Sequence, residues 1–189
     1  MSYFVDEEYI HRNFQTGFPK GEYENCIFRN CEMGDADFSD ITFIDCKFEN
    51  CNISNANLNQ TNFRDTTFLD CKMMGLLFTR CNPFGLGFTF SNCNLNHCAF
   101  YKLQLKKLSI QSCSLHAADF TSTDLTGTAF INCDLTDAKF DTSNLEKCDF
   151  SSAIHYSIDP ENNRIRKAKF AYPAILGLLG KYDLIVVSD

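Results

Sequence analysis

The chain has 189 residues, 44% hydrophobic, 14% aromatic and 22% charged, with a formal net charge of −7, which allows one domain or two small ones. Its wholly apolar runs span only a few residues, far short of the roughly 20 that a bilayer helix needs, and four Pro with nine Gly exclude collagen-like and proline-rich classes. The start, Met1-Ser2-Tyr3-Phe4-Val5-Asp6-Glu7-Glu8, is acidic rather than basic and then apolar, so no secretory leader and no membrane span are expected, and a cytoplasmic location would keep the eleven cysteines as thiols.

Residues 1–15 offer Tyr3, Phe4, Tyr9, Ile10 and Phe14 and are expected to form an amino-terminal cap. From Thr16 a period of five begins. Its central positions are Phe18, Tyr23, Phe28, Met33, Phe38, Phe43, Phe48, Ile53, Leu58, Phe63, Phe68, Met73 and Phe78, thirteen large apolar residues in thirteen pentads. The same pattern resumes at Cys93, with twelve further apolar centres from Leu95 to Phe150. A period of five matches neither the 3.6 of a helix nor the 2 of a strand, so the chain must turn a corner every five residues. The residue two before each centre is small or moderately apolar, and alternation in extended chain points it inward with the centre. Asn, Asp, Ser, Thr, Lys and Arg then face outward.

Each pentad is one side of a coil, and the cysteines indicate how many sides close a turn. Five Cys pairs lie 20 residues apart, against three at 5, one at 10 and three at 15, which favours four pentads per turn. The expectation is an all-β, four-sided solenoid over residues 16–152, of about six to seven coils stacked at about 4.8 Å. One column of its core should run Phe38, Leu58, Phe78, Phe100, Phe120, Phe140. Between residues 79 and 92 the frame shifts by two, predicting one coil of 22 residues that passes Cys71 to Cys93, with a small bulge whose torsions Gly85 and Gly87 supply. Residues 153–189 read as a carboxy-terminal cap and dimerisation segment. It holds a turn at Asp159–Asn163, an extended Arg164–Phe170, a short helix from Pro173 to near Gly180, and a last strand over Tyr182–Val187. The candidate dimer contacts are Pro173, Ile175, Leu176, Leu178, Leu179, Tyr182 and Leu184.

Three pentads, Ala36-Asp37-Phe38-Ser39-Asp40, Ala56-Asn57-Leu58-Asn59-Gln60 and Ala118-Asp119-Phe120-Thr121-Ser122, follow the motif A(D/N)LXX closely, and the tandem array resembles the pentapeptide-repeat proteins. The resemblance covers about Thr16 to Ser152. It implies a right-handed quadrilateral β-helix, and it implies a homodimer, because several members dimerise through a carboxy-terminal helical segment. It also implies a partner: the quinolone-resistance members, Qnr and MfpA, resemble B-form DNA and act on type II topoisomerases, protecting gyrase. This chain has no large loop of the Qnr kind, only the two-residue shift.

Catalysis is not expected. Every cysteine falls at the small inward position of a pentad, where a thiol packs as a small hydrophobe of low reactivity, and spacings such as 26/31 and 46/51 lack the short gap of zinc ligands. No metal, cofactor or nucleophile motif emerges. His97 and His116 lie outward on neighbouring coils and are expected to approach one another. Charge is banded along the chain: −7 over residues 22–70, +5 over 71–118, −7 over 119–161 and +3 over 162–189. The acidic bands predict a docking surface for a protein partner, carried by Asp35, Asp37, Asp40, Asp45, Glu49, Asp134, Asp137 and Asp141. The negative total argues against direct nucleic-acid binding.

Overall fold

The computed structural model describes residues 2–185 and 187. Inward centres and small residues two before them are buried, and the last residue of most pentads takes a left-handed turn. Twenty-six non-glycine residues have positive φ, among them Asn25, Asn30, Asp35, Asp40, Asp45, Asn50 and Asn55 at successive corners. Asn and Asp tolerate that region best among residues with a Cβ, which is why the pentads so often end in them.

Coil stacks on coil through parallel pairing. The strands are β1 Ser2–Val5, β2 Glu8–Ile10, β3 Gly21–Glu24, β4 Ile27–Arg29, β5 Thr42–Ile44, β6 Lys47–Glu49, β7 Asn62–Arg64, β8 Thr66–Leu69, β9 Phe88–Ser91, β10 Ser109–Gln111 and β11 Ala129–Ile131. The first side of the solenoid is the sheet β1-β3-β5-β7, continued by parallel bridges from Gln104 through Asp124 and Asn144 to Arg164. The second is the sheet β2-β4-β6-β8-β9-β10-β11, continued to Asp149 and Lys169. Single bridges build the third side, from Asn13 through Glu32, Asn52, Lys72, Asn94, Ser114 and Asp134 to Ile154, and the fourth, from Asp37 to Asn57 and again from Leu77 through Ala99 and Asp119 to Lys139. The architecture is a right-handed parallel β-helix, the sense that parallel crossovers favour.

The interior is aromatic. On the second side Phe28, Phe48, Phe68 and Phe90 stack at centroid spacings of 4.7, 5.1 and 5.5 Å. On the fourth, Phe78, Phe100, Phe120 and Phe140 stack at 4.8, 4.8 and 5.2 Å. Phe38, Leu58, Phe78, Phe100, Phe120 and Phe140 are all buried. In the second half the first and third sides carry Leu (Leu105, Leu125, Leu145; Leu95, Leu115, Leu135), so Leu and Phe alternate around the square.

The small inward residues have a second role that the repeat does not announce: many of their hydroxyls and thiols donate to the carbonyl of a centre one coil back, most often 23 residues earlier. Thr61 reaches Phe38 at 2.7 Å, Thr123 reaches Phe100 at 2.8 Å, Ser143 reaches Phe120 at 2.6 Å and Cys46 reaches Tyr23 at 3.3 Å. The Phe38, Phe100 and Phe120 carbonyls, which already accept a backbone N–H from three residues on, thereby gain a second donor.

Pairing steps of 20 residues become 22 at Thr66↔Phe88, Lys72↔Asn94 and Leu77↔Ala99, as the frame shift predicts. The extra residues lie in the loop on the first side, where Asn82 N–H donates to Thr61 O and Gly87 N–H to Phe63 O, each at 2.9 Å. Donors five residues apart thus serve acceptors two apart, and the chain between them bulges. Gly85 does take the left-handed torsion, φ +69; Gly87 does not, because the chain has already rejoined the ladder there.

The carboxy-terminal helix is not an α-helix but two 3-10 turns, Ala174–Leu178 and Gly180–Tyr182, after a cis Tyr172–Pro173 bond. Gly177 lies so close to Tyr156 that a Cβ would sit 2.1 Å from its carbonyl oxygen, and two glycines weaken the run as a helix. The strand expected over Tyr182–Val187 does not form in the described residues: Tyr182 closes the second turn, Asp183 is left-handed (φ 48), and Leu184, Ile185 and Val187 are exposed. Val186 lies outside the described residues. Lys181 and Tyr182 instead tie this segment to Glu161, the tyrosine hydroxyl donating at 2.9 Å.

Candidate interaction surfaces

All eleven cysteines are free and buried. Burial pushes the Cys46, Cys81 and Cys148 thiols up to about 12, and among the described residues no group of three or more His, Cys, Asp or Glu is placed to hold a metal ion. The nucleophile is the thiolate, so native protein at pH 8 should be essentially silent to an aromatic disulfide reagent and should release eleven equivalents only on unfolding. More than one rapidly titrating thiol in the native state would contradict the packing.

His97 and His116 do meet, edge to face with ring centroids 5.6 Å apart, and His116 Nδ1 stands 3.7 Å from Asp137. The pair is open to solvent on a flat side.

The eight predicted acidic residues do not share one surface. Asp35, Asp37 and Asp40 lie on the fourth side and its two corners, as do Asp137 and Asp141 five coils further on. Asp45 sits on the corner between the first and second sides, Glu49 on the second side and Asp134 on the third. Several are internally compensated. The Lys20 ammonium, 2.7 Å from Asp37, together with the Ser39 hydroxyl and amide, holds that carboxyl down at about 2. Lys47 and Arg29 hold Glu49 below the ordinary carboxylate range. Asp134 is lowered as well: its partial burial acts upward but is outweighed by Thr136 and by His155, whose Nδ1 is 3.0 Å away. Asp35, Asp40, Asp45 and Asp141 have no ion pair among the described residues; of these, Asp35, Asp40 and Asp141 lie on the fourth side and its corners.

At the carboxy-terminal end the candidate contacts divide. Ile175, Leu179, Tyr182 and Leu184 are exposed, at 40%, 37%, 46% and 58%, and Pro173 is exposed beside them. Leu178 instead packs onto the core, and Leu176 lines a shallow apolar groove with Ile154, Tyr156, Pro173 and Gly177. Tyr172 and Ile185, which sequence reading passed over, are exposed in the same segment, at 83% and 94%. Among the described residues no helix is long and apolar enough to cross a membrane.

Comparison with known proteins agrees with this geometry. A family model described as a pentapeptide repeat region matches residues 22–88, and one described as pentapeptide repeats, eight copies, matches residues 113–151. No curated protein matches the sequence significantly. Among solved structures, a trypsin-treated variant of QnrB1, a plasmid-mediated fluoroquinolone resistance protein, is similar over 98% of this chain and 97% of its own, with 20% identity and a TM-score of 0.52. HetL, a pentapeptide repeat protein involved in heterocyst differentiation regulation in the cyanobacterium Nostoc sp., is similar over 89% of this chain and 85% of its own, with 13% identity and a TM-score of 0.49.

Proposed function

We propose that this chain, which belongs to the pentapeptide-repeat proteins, is a non-catalytic docking rod for a protein partner in a reducing cytoplasm. The observation that carries this reading is the fourth side: a flat face edged by Asp35, Asp40, Asp137 and Asp141, carboxylates held at fixed spacing by a rigid backbone. Such a face supplies a field that steers a basic partner and has no enclosed cavity in which a substrate could be desolvated. The test is affinity capture with the wild-type rod and with a variant carrying Asp35→Lys, Asp40→Lys and Asp141→Lys. The corners already accept lysine at Lys102 and Lys107 with positive φ, so the variant should fold. A partner held by wild type and lost by the variant supports the reading; equal capture by both overturns it.

The exposed apolar carboxy-terminal end supports a homodimer, since Ile175, Leu179, Tyr182 and Leu184 are all exposed within one short segment, and exposed apolar groups gathered together mark interaction sites. Light scattering at micromolar concentration in about 0.5 M salt, where charge contacts are screened, should give twice the chain mass, and Leu179→Asp should halve it. A dimer that survives Leu179→Asp would move the interface elsewhere.

A second reading, a DNA-mimicking binder of type II topoisomerase that confers quinolone protection, draws on the stacked corner carboxylates Asp45 and Asp65 on successive coils. The basic band of Lys72, Arg80, Lys102, Lys106 and Lys107 interrupts that likeness. A gyrase supercoiling assay with and without a fluoroquinolone decides it: rescue with drug, or inhibition without drug, supports the second reading, and no effect in either arm removes it.

A further inference from the structure

The corner between the first and second sides changes sign along its length. It reads Asp6, Asn25, Asp45, Asp65, then Gly87 in the loop coil, then Lys107, Gly127, Lys147, Lys167. Among the outward residues of the first side, Glu22 and Glu24 lie towards one end and Arg164 and Arg166 towards the other, with Arg64 in the acidic half and Asp124 and Glu146 in the basic half running against the trend. The two carboxylates in the basic half are engaged, Asp124 by Lys106 at 3.2 Å and Glu146 by Arg164 at 2.9 Å. Lys107, Lys147, Arg166 and Lys167 have no ion pair among the described residues.

The loop coil is the fifth of nine rungs on this side, hence its midpoint. It carries Phe84, 79% exposed and the only exposed phenylalanine among the described residues. Phe84 N–H donates to Asn82 Oδ1 at 3.0 Å, and Gly85 lies over the Arg64 side chain. The loop thus leans towards the preceding coil. No backbone hydrogen bond joins residues 83–87 to 103–107 among the described residues, and a groove opens there, lined by Leu86, Phe88, Leu105, Lys107 and Leu108.

We propose that a second copy of this chain docks antiparallel on the first side, about a twofold axis that crosses the loop rung. With that axis each rung faces its mirror rung: Asp6 meets Lys167, Asn25 meets Lys147, Asp65 meets Lys107, and the two Phe84 rings meet beside each other's groove. A twofold contact must be self-complementary, and a surface acidic at one end, basic at the other and apolar at its midpoint meets that condition. A foreign partner of one charge sign would match only half of it. An apolar centre with a charged rim is also the usual anatomy of an interface.

This contact is distinct from the carboxy-terminal one and goes beyond it: that one is apolar, this one is held in register by charge. Two different twofold contacts on one chain would build linear assemblies, so the full chain is tested as Leu179→Asp, alongside wild type, by sedimentation velocity. Salt is set at about 20 mM and about 0.5 M, on either side of the concentration at which screening shortens to roughly 10 Å. The expected result is a dimer at low salt that dissociates at high salt and is lost in Phe84→Ser. Asp65→Lys should weaken it at least about tenfold, and adding Lys107→Asp should restore it, because the two residues face each other twice in the dimer. A monomer at low salt and about 100 μM, salt-independent association, or indifference to both Phe84→Ser and Asp65→Lys would overturn the proposal. Failure of the carboxy-terminal reading would appear separately, as an unchanged mass between wild type and Leu179→Asp at high salt.

Discussion

Phe120→Ala should destabilise the rod by about 3–5 kcal/mol, the range for emptying a buried phenylalanine site. Phe120 is fully buried. It stacks between Phe100 at 4.8 Å and Phe140 at 5.2 Å, with interplanar angles of 3° and 9°, and meets the edge of Phe130 at 5.8 Å. Its carbonyl also accepts the Ser143 hydroxyl at 2.6 Å, so a backbone shift to refill the space would break a buried hydrogen bond. Collapse is therefore hindered and the upper part of the range is expected. Urea unfolding followed by far-ultraviolet circular dichroism measures the loss. Because each coil touches only its neighbours, amide exchange should accelerate most over residues 98–145 and least over 21–60. A loss below about 1 kcal/mol would show that the fourth-side column is not packed in this register.

The second large effect is expected at Gly177→Ala. An added Cβ would stand 2.1 Å from the Tyr156 carbonyl oxygen and 2.9 Å from its ring, and Tyr156 is 3% exposed, wedged between Phe150 and Phe170. Neither neighbour is the free end of a flexible chain. The 3-10 segment must lift, breaking the bond from Ile158 N–H to Gly177 O (3.0 Å) and uncovering the last coil. The cost should be about 1–3 kcal/mol, as for other overpacked sites, with faster tryptic cleavage after Lys169 and Lys181. Gly17→Ala, where nothing lies within 4 Å of the new Cβ, is the matched control and should be near neutral. Equal behaviour of the two variants would mean that the carboxy-terminal segment does not cap the stack.

Most of this fold was legible in the sequence because the interior repeats. A column residue such as Phe100 or Leu115 meets nearly the same neighbours as those one coil away, so the pattern of five fixes inward and outward positions, and the 22-residue coil follows from arithmetic on Cys71 and Cys93. Legibility falls where repetition ends. At 155 the frame expects an inward apolar residue; the chain supplies exposed His155 with φ 58, and Tyr156 fills the core instead. Beyond it, helix and strand propensity in Pro173–Ile185 were overruled by contacts with Tyr156 and Glu161, which lie about 20 residues away in the chain.

The surfaces divide in the same way. Banding of charge is a linear property, visible as alternating acidic and basic stretches, but a band of one sign wraps all four sides of the rod. Which carboxylates face together depends on the corner each residue occupies, so Asp45, Glu49 and Asp134 part company with Asp37. Reversal of sign along a single corner, from Asp6 to Lys167, likewise emerges only when residues one coil apart are brought into line. The sequence by itself determined the four-sided coil, its core columns and the burial of every cysteine, since those depend on period and side-chain size alone. Only the tertiary structure decided how the loop leans, how the carboxy-terminal turns seat and which charges stand beside one another, since those are set by contacts between residues distant in the chain.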